Sequence, residues 1–450
     1  MKTGKKILLV NPWIYDFAAF DMWMKPIGLL YISSFLKSTG YDVSLIDCLD
    51  RGDLDLLSFR GLQKRQDKYF GCGNFYREIA EKPQCLADVP RNYCRYGMPP
   101  EVFKKKLSSV PKPDFVLVTS VMTYWYPGVQ HAIKMIRECF PDTKILLGGI
   151  YATLCPEHAA ANSGADVIYK GRGLNRLISI LNGDLTPDKI ESDEWLFAGE
   201  LPYPDFSDYH NCDYFCIMTS QGCPFNCAYC ASGLLDGKYI QRDYNDVLKE
   251  IELQIESTGA SNLAFYDDAL LVNAEGHFEK ILDGIIERGI RISLHAPNGL
   301  HPRFITENIA EKMKKAKFET LRLSLETSNP ERQESTGGKV KSEEYAAAVN
   351  ILKCAGFTKD NMGTYVFFGI PGQPLSEVEE SISFVKAAGS SVNLVEYSPI
   401  PGTVMWNELV KNGVIVQDMD PVLQNNSVFF RKFSGITENA LQRLKGMSKE

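Results

Sequence analysis

The chain has 450 residues, of which 44% are hydrophobic and 23% charged, and its formal net charge is −7. This length exceeds one ordinary core and predicts two domains, and the composition is typical of a globular protein rather than a disordered or fibrous one. The acidic balance argues against nucleic acid as a partner, because proteins that follow phosphate backbones carry a basic excess.

The N-terminal sequence and the cysteine content indicate a reducing compartment. The apolar run at 7–10 is too short for a signal peptide. No stretch reaches the ~20 apolar residues of a membrane span. The 12 cysteines, in a chain with no export signal, favour metal chemistry over disulfides. We therefore expect a cytoplasmic protein without a membrane span.

Residues 1–184 alternate apolar strands with helical segments. The predicted strands lie at 7–10, 43–46, 115–119, 144–147 and 167–169. Near-continuous apolar strands separated by helices predict an α/β domain with a doubly wound parallel sheet, covered on both faces.

An insert at about 48–112 interrupts this domain and contains Cys72, Cys85 and Cys94. It is too long for a simple connection. The cysteines could hold an auxiliary iron-sulfur site, or they could be unrelated small hydrophobic residues of a lid or subdomain. Their spacings of 13 and 9 residues match no short ligand pattern, which favours the second interpretation. Residues 185–213 are interpreted as a linker, because two close prolines, Pro202 and Pro204, disfavour both helix and central strand.

A cysteine loop follows the next predicted strand. Cys223, Cys227 and Cys230 are four and then three residues apart, among Gly, Pro and Asn residues. Three interpretations are open: an iron-sulfur cluster with one open iron, a zinc site with a distant fourth ligand, or buried thiols. Structural zinc usually uses two ligand pairs, and a second pair is missing here. The spacing therefore favours the cluster.

Residues 214–403 continue with strand and helix units. Strands are predicted at 214–219, 262–266, 291–295, 320–325, 363–368 and 393–397. This spacing suits parallel strands with crossover helices, whose carboxyl ends meet at one edge. Small or polar residues at these ends are Asp267, Asp268, Asn298, Ser324, Glu326, Gly369, Gly372 and Pro399. Residues 404–450 are predicted to form a short C-terminal helical extension.

Four basic side chains of this half are harder to assign. His295 falls within a predicted strand and is expected to be structural, although a general base is the alternative. His301 is expected on a loop surface. Lys339 and Arg332 follow the fourth strand and could bind an anionic substrate group or contact only solvent.

The pattern C-x3-C-x-Y-C after a strand, followed by strand and helix units, resembles the radical S-adenosylmethionine (radical SAM) enzymes. The resemblance implies a partial (β/α)6 barrel and a 4Fe-4S cluster held by Cys223, Cys227 and Cys230. It also implies that the fourth iron binds the amino and carboxylate groups of S-adenosylmethionine (SAM), and that Tyr229 meets the adenine.

The strand-end residues suit such a cofactor. Carboxylate and amide oxygens, as in Asp268 and Asn298, suit its cationic groups, and donors suit its carboxylate. Glu326 suits the ribose hydroxyls, and Gly369 and Gly372 would allow a close approach of the backbone to the adenine. Ser324 and Pro399 complete the predicted cofactor site.

The N-terminal half resembles the cobalamin-binding Rossmann-like domain that precedes many radical SAM barrels. The matching features are the run PIGLL at 26–30, the strand end Thr119-Ser120 and the pair Gly148-Gly149. Domains that bind cobalamin through a histidine carry D-x-H-x-x-G, whereas the loop at 13–23 contains no histidine. Cobalamin therefore stays open as a cofactor, beside the alternative of a retained structural sheet.

The resemblance implies reductive cleavage of SAM to a 5′-deoxyadenosyl radical, which takes hydrogen from a small-molecule or peptide substrate. A flavodoxin or ferredoxin-type reductant is implied as partner. One alternative is a cobalamin-dependent methyltransferase. Another is an iron-sulfur scaffold or electron carrier, against which the absence of a fourth cysteine argues.

Overall fold

The computed structural model describes residues 4–193, 197–210 and 212–449. Residues 1–3, 194–196, Asn211 and Glu450, which fall at predicted domain ends and in the predicted linker, lie outside the described residues. The chain divides into two compact units. The first comprises the chain up to Phe215 together with Glu256–Gly259 and Asp420–Leu423, and the second comprises most of the rest. The domain limits drawn from the sequence stay predictions.

The strands of the first unit are β1 (Lys6–Asn11), β2 (Ile14–Asp16), β3 (Asp42–Asp47), β4 (Arg77–Ile79), β5 (Cys94–Tyr96), β6 (Phe115–Val118), β7 (Lys144–Leu147), β8 (Val167–Lys170) and β9 (Ile190–Ser192). Its helices are α1 (Ile27–Ser38), α2 (Leu54–Phe59), α3 (Pro100–Ser109), α4 (Tyr126–Cys139), α5 (Ile150–Leu154), α6 (Pro156–Asn162) and α7 (Asn175–Asn182).

The main sheet of the first unit is parallel, in the order β3-β1-β6-β7-β8-β9. The continuous apolar run of β1, from Ile7 to Val10, is at most 2% exposed, as expected for a strand covered on both faces. The predicted doubly wound parallel sheet is thus confirmed. β9 lies in the segment interpreted as a linker. Its buried position is taken by Glu191, so the strand lacks the apolar signal of its neighbours.

Strands β4 and β5 of the insert pair with β2, which follows β1, in a small antiparallel sheet in the order β2-β5-β4. Cys94 is buried within β5 and Cys72 is also buried, whereas Cys85 is exposed. Burial raises the pKa of Cys72 to about 12. Two of the three insert cysteines therefore pack as apolar side chains.

The strands of the second unit are β10 (Tyr214–Ile217), which begins at the end of the first unit, β11 (Ser220–Gln221), β12 (Ile240–Gln241), β13 (Asn262–Phe265), β14 (Ser293–Leu300), β15 (Phe318–Glu326), β16 (Met362–Phe368) and β17 (Ser391–Glu396). The helices are α8 (Ser232–Leu235), α9 (Tyr244–Thr258), α10 (Phe278–Glu287), α11 (Glu307–Lys315), α12 (Pro330–Ser335), α13 (Ser342–Cys354), α14 (Leu375–Ala388), α15 (Val404–Lys411), α16 (Asn426–Phe433) and α17 (Glu438–Lys449).

Six strands of the second unit form an open sheet in the order β10-β13-β14-β15-β16-β17. The pairs from β13 to β17 are parallel. Strands in chain order with helices between them form the predicted partial (β/α)6 barrel, and α15, α16 and α17 form the predicted C-terminal helical extension. In the described part of the chain, no helix is long and apolar enough to cross a bilayer.

Candidate active site

The cysteine loop leaves the first strand of the barrel sheet through a tight turn. β11 pairs antiparallel with β12, and the loop begins at Gly222. Gly222 has φ +76, and a Cβ there would lie 2.9 Å from the Lys238 carbonyl oxygen, so the turn requires glycine. Cys223 and Cys227 are partly buried and Cys230 is exposed. The three thiols therefore face a region that a ligand can reach.

The pKa values of Cys223 and Cys227 depend on the neighbouring thiols and on two charged side chains. Burial raises the pKa of Cys223 to about 11, and Asp268 and the other two cysteines add to the effect. Burial also raises the pKa of Cys227, while Lys339 acts in the opposite direction. Metal binding must therefore displace protons from Cys223 and Cys227.

The donor set fits an iron-sulfur cluster. Within the described residues, no three His, Cys, Asp or Glu side chains are grouped as they would be around one metal ion. Each thiolate of a 4Fe-4S cluster binds a different iron, so its ligands are spaced more widely than those of a single ion. The loop offers three free thiols, one for each of three irons.

The two adjacent aspartates after β13 have different environments. Asp267 is 3% exposed, and its carboxylate accepts hydrogen bonds from the backbone and hydroxyl groups of Thr219 and Ser220, at 2.6–3.2 Å. It fixes the strand end from which the cysteine loop departs. Asp268 is only partly buried and lies within electrostatic range of Cys223. Of the pair, Asp268 is thus the one available to a ligand.

Ser324, Glu326 and Lys339 form a polar group beside the cysteine loop. The Lys339 Nζ donates to the Ser324 Oγ at 2.7 Å and lies 3.4 Å from a Glu326 carboxylate oxygen. Burial alone would lower the pKa of Lys339, but Glu326, Cys227 and Cys230 outweigh it and the pKa is raised. Lys339 is therefore a partly buried cation within electrostatic range of two of the cysteines.

A backbone irregularity aims Glu326 at this group. The register between β15 and β16 shifts between Ser324 and Glu326. Glu326 has φ +64, a conformation that a non-glycine residue adopts at a cost in energy. Such irregularities redirect side chains near active sites.

Tyr229 and Asn298 lie near the same strand ends. The Tyr229 ring packs edge-on against Phe367, with centroids 4.9 Å apart, and burial raises the pKa of its phenol. Cys227 and Glu326 are both within its electrostatic range. The Asn298 amide donates to the Tyr266 and Asp267 carbonyl oxygens at 3.1 Å. Its amide nitrogen thus joins two neighbouring strand ends.

The predicted residues after β16 and β17 lie further along the sheet. Gly372 has φ +77 and open space beside its Cα, so a ligand could approach its backbone. Pro399 is buried. At Gly369 the close approach is made by Phe430, since a Cβ there would lie 2.6 Å from the Phe430 Cβ. The glycine at position 369 therefore allows α16 to pack closely against the end of β16.

His295 has a structural role. It is fully buried, and its ring nitrogens bond the Thr320 hydroxyl and the Asn262 side-chain oxygen, each at 3.1 Å. Burial, with Arg322 nearby, lowers its pKa to about 3. Arg332, likewise, bonds the Glu377 carboxylate at 2.6 Å and so serves an ion pair within the fold.

We expect acid to destabilise the second unit through His295. In the unfolded chain an imidazole titrates near pH 6.5, whereas buried His295 stays neutral to about pH 3. The unfolded state therefore binds more protons as pH falls below 6.5, and stability decreases by about 2 kcal/mol between pH 6.5 and 5. Urea unfolding at both pH values should show this loss in the wild type and a smaller loss in His295→Gln. Equal losses in the two proteins would contradict the prediction.

Sequence reasoning missed three features of the site. His301 was expected on a loop surface, but it is 2% exposed because its ring stacks on Phe225 of the cysteine loop, with centroids 4.7 Å apart. The sequence left open whether Lys339 binds an anionic substrate group or contacts only solvent. Gly337 has φ +116, and a Cβ there would lie 3.1 Å from the Asn226 carbonyl oxygen. The adjacent glycines 337 and 338 were the one local signal of this close approach.

The comparisons with known proteins agree with this geometry. Residues 217–385 match the family model of the radical SAM superfamily. Cytidylyl-2-hydroxyethylphosphonate methyltransferase of Streptomyces wedmorensis is 21% identical over 91% of this chain and 83% of its own. An uncharacterized methyltransferase of Pyrococcus horikoshii is 24% identical over 69% of this chain and 74% of its own.

A solved structure shares the fold over nearly the whole chain. It is the radical SAM methyltransferase TsrM of Kitasatospora setae, with cobalamin and a [4Fe-4S] cluster bound. The match has a TM-score of 0.69 at 16% identity and covers 99% of this chain and 91% of that one. The relatives also include two probable threonylcarbamoyladenosine tRNA methylthiotransferases, so the exclusion of nucleic acid stays a prediction.

Radical SAM enzymes use a 4Fe-4S cluster and SAM. The site described above offers thiols for the cluster, and it offers carboxylates and a cation for SAM. The N-terminal unit has the fold of the corresponding part of a cobalamin-containing member. Residues 217–385 therefore form a radical SAM domain, and the protein is an enzyme with a 4Fe-4S cluster and SAM as cofactors.

Proposed function

We propose that this protein is a cobalamin-dependent radical SAM methyltransferase. The observation that carries the proposal is that its fold follows a methyltransferase of this kind over 99% of the chain, including the N-terminal sheet. The two relatives described above are also methyltransferases by name. This function, the alternative inferred from the sequence, is favoured over hydrogen abstraction as the net reaction.

The first unit offers a place for cobalamin. The strand order of its sheet reverses between β1 and β6, and ligands of such sheets bind at the carboxyl ends beside that point. At the ends of β6 and β7, Gly149 has φ +89, and a Cβ there would lie 2.3 Å from the Ser120 carbonyl oxygen. The Ser120 hydroxyl donates to the Gly148 carbonyl oxygen at 2.9 Å and accepts from the Tyr151 N–H at 3.2 Å. These residues form a polar cradle without protruding side chains.

The loop after β1 offers cobalt no imidazole. Residues 12–26 contain no histidine. Instead, the Asp16 carboxylate accepts a hydrogen bond from the Trp125 indole N–H at 2.7 Å, and Asp16 is 4% exposed. A corrinoid bound by this unit would therefore have to be held without a histidine ligand from this loop.

In the second unit, we assign Cys223, Cys227 and Cys230 to the cluster. Lys339 is the cation suited to the SAM carboxylate, and Asp268 is the carboxylate suited to its amino group. Glu326 would accept from the ribose hydroxyls, and Tyr229 would pack on the adenine. When bound, the cluster supplies an electron and the corrinoid carries a methyl group. The chain's part is to bind, orient and shield these groups.

The first experiment is anaerobic purification of the protein reconstituted with iron and sulfide and loaded with hydroxocobalamin. We expect corrinoid absorbance to stay with the protein after gel filtration, and S-adenosylhomocysteine to form after SAM and a flavodoxin-type reductant are added. If the protein retains a cluster but no corrinoid, the methyltransferase proposal is overturned and hydrogen abstraction becomes the better function.

A glycine pair tests the cradle. Gly149→Ala places a Cβ against the Ser120 backbone, so we expect the affinity for cobalamin to fall about 5- to 150-fold, given a steric and backbone cost of about 1–3 kcal/mol. Gly183→Ala is the matched control, because Gly183 has nearly the same φ, +88, with open space around it. Cluster content should stay unchanged in both variants. Equal cobalamin retention in the two would place the cofactor elsewhere.

A further inference from the structure

His301 lies directly behind the cysteine loop. Its ring stacks on Phe225, which stands between Cys223 and Cys227 in the chain, with 26° between the ring planes. His301 is 2% exposed. The middle of the cysteine loop therefore packs against the His301 ring.

One ring nitrogen of His301 lacks a partner. The Nε2 atom is buried and forms no hydrogen bond with the described residues. A buried polar atom without a partner lowers the stability of the folded chain, because its desolvation is not compensated by a hydrogen bond. This cost is removed if a group bound at the loop satisfies the nitrogen.

His301 is neutral at physiological pH. Burial, together with the cations Lys339 and Arg303, lowers its pKa to about 3. A neutral imidazole has one N–H group, so it can donate a hydrogen bond without bringing a charge. The charge beside the loop is supplied instead by Lys339, which lies within electrostatic range of Cys227 and Cys230.

The segment that contains His301 also contacts the cysteine loop through Arg303. The Arg303 guanidinium lies 5.6 Å from the Phe225 ring centroid and donates to the Gly338 carbonyl oxygen at 2.7 Å. The Ala228 N–H of the loop in turn donates to the Thr336 carbonyl oxygen at 3.0 Å. The loop is thus held between the segment at 301–303 and the segment at 336–338.

We propose that His301 is a positioning residue that supports Phe225 and donates a hydrogen bond from Nε2 to a sulfur atom of the bound cluster. The inference rests on the cluster proposed at Cys223, Cys227 and Cys230. A hydrogen bond to a cluster sulfur stabilises the more negative, reduced state and so raises the reduction potential. Removing the donor makes the cluster harder to reduce.

The test is a redox titration of the reconstituted protein, followed by EPR in the absence of SAM. His301→Phe keeps a ring for stacking but has no N–H. We expect full iron content and, at the wild-type midpoint, an about tenfold lower ratio of reduced to oxidised cluster, as for the loss of one hydrogen bond to a charged group. For one electron this is a midpoint lower by about 59 mV. His301→Gln retains a donor and should stay near the wild-type midpoint.

His277→Phe is the matched control. His277 is also buried and has an unpartnered Nδ1, but its Nε2 bonds the Arg242 carbonyl oxygen at 3.0 Å. Its removal should leave the midpoint unchanged. Should Phe at position 301 prevent cluster assembly, Met, which also lacks an N–H, takes its place in the comparison with Gln.

Three results would overturn the inference. The first is an unchanged midpoint in the donor-free variant, and the second is the same shift in His301→Gln. The third is a strong nitrogen hyperfine coupling in the wild type that is lost in His301→Phe, which would make His301 an iron ligand. A wild-type protein that takes up no cluster would instead overturn the proposed function.

Discussion

Cys227→Ala is expected to abolish the cleavage of SAM. Cys227 is the middle ligand of the proposed cluster and lies within electrostatic range of Glu326, Lys339 and Cys230. Loss of a hydrogen-bond partner of a metal ligand typically costs 10–100-fold in affinity or activity, so loss of the ligand itself should cost more than about 100-fold. The measurement is anaerobic turnover with SAM and dithionite, in which 5′-deoxyadenosine and S-adenosylhomocysteine are both quantified.

Cys354→Ala is the control for this experiment. Cys354 is an exposed free cysteine at the end of α13. Its replacement should leave iron content and both products unchanged. Full turnover by Cys227→Ala would contradict the cluster assignment. In the wild type, S-adenosylhomocysteine as the main product supports methyl transfer, whereas 5′-deoxyadenosine alone would favour hydrogen abstraction.

Gly337→Ala is expected to displace the cysteine loop. An alanine Cβ would lie 3.1 Å from the Asn226 carbonyl oxygen and 3.2 Å from the Cys227 Cα, both of them backbone atoms. The φ of +116 adds strain, so the total cost is about 1–3 kcal/mol or somewhat more. We expect less than one cluster per chain after reconstitution, measured as iron and acid-labile sulfide.

The neighbouring glycine provides the control. Gly338 also has a positive φ, +61, but a Cβ there would lie 3.5 Å from the end of the flexible Glu334 side chain. Gly338→Ala should therefore bear the backbone strain without moving the loop, and its cluster content should match the wild type. Similar losses in the two variants would show that strain, and not contact with the loop, limits cluster binding.

The local patterns predicted much of the fold. The apolar runs of β1, β6 and β7 are buried on both faces, so their sequence directly carries the parallel-sheet signal. β9 was missed because three residues with Glu191 in the buried position give no such signal. Its place in the sheet depends on pairing with β8, which is a property of the folded chain.

The candidate site likewise has features that the local sequence predicts and features that it does not. Cysteine spacing is local, so Cys223, Cys227 and Cys230 could be assigned from the chain alone. Asp267 and Asp268 are adjacent and chemically identical, yet one closes a strand end and the other lies near Cys223. Their difference arises only in the folded chain, where the backbone and hydroxyl donors of Thr219 and Ser220 meet Asp267.

The sequence by itself predicted the α/β architecture, the radical SAM domain and the three thiols that we propose as cluster ligands, because these depend on periodicity and on short spacings. Only the tertiary structure brought Lys339 to Ser324, buried His301 against Phe225 and placed Gly337 on the cysteine loop. These contacts join segments that are 15 to more than 100 residues apart in the chain. They follow from how strands and loops pack, and no local pattern of residues encodes that packing.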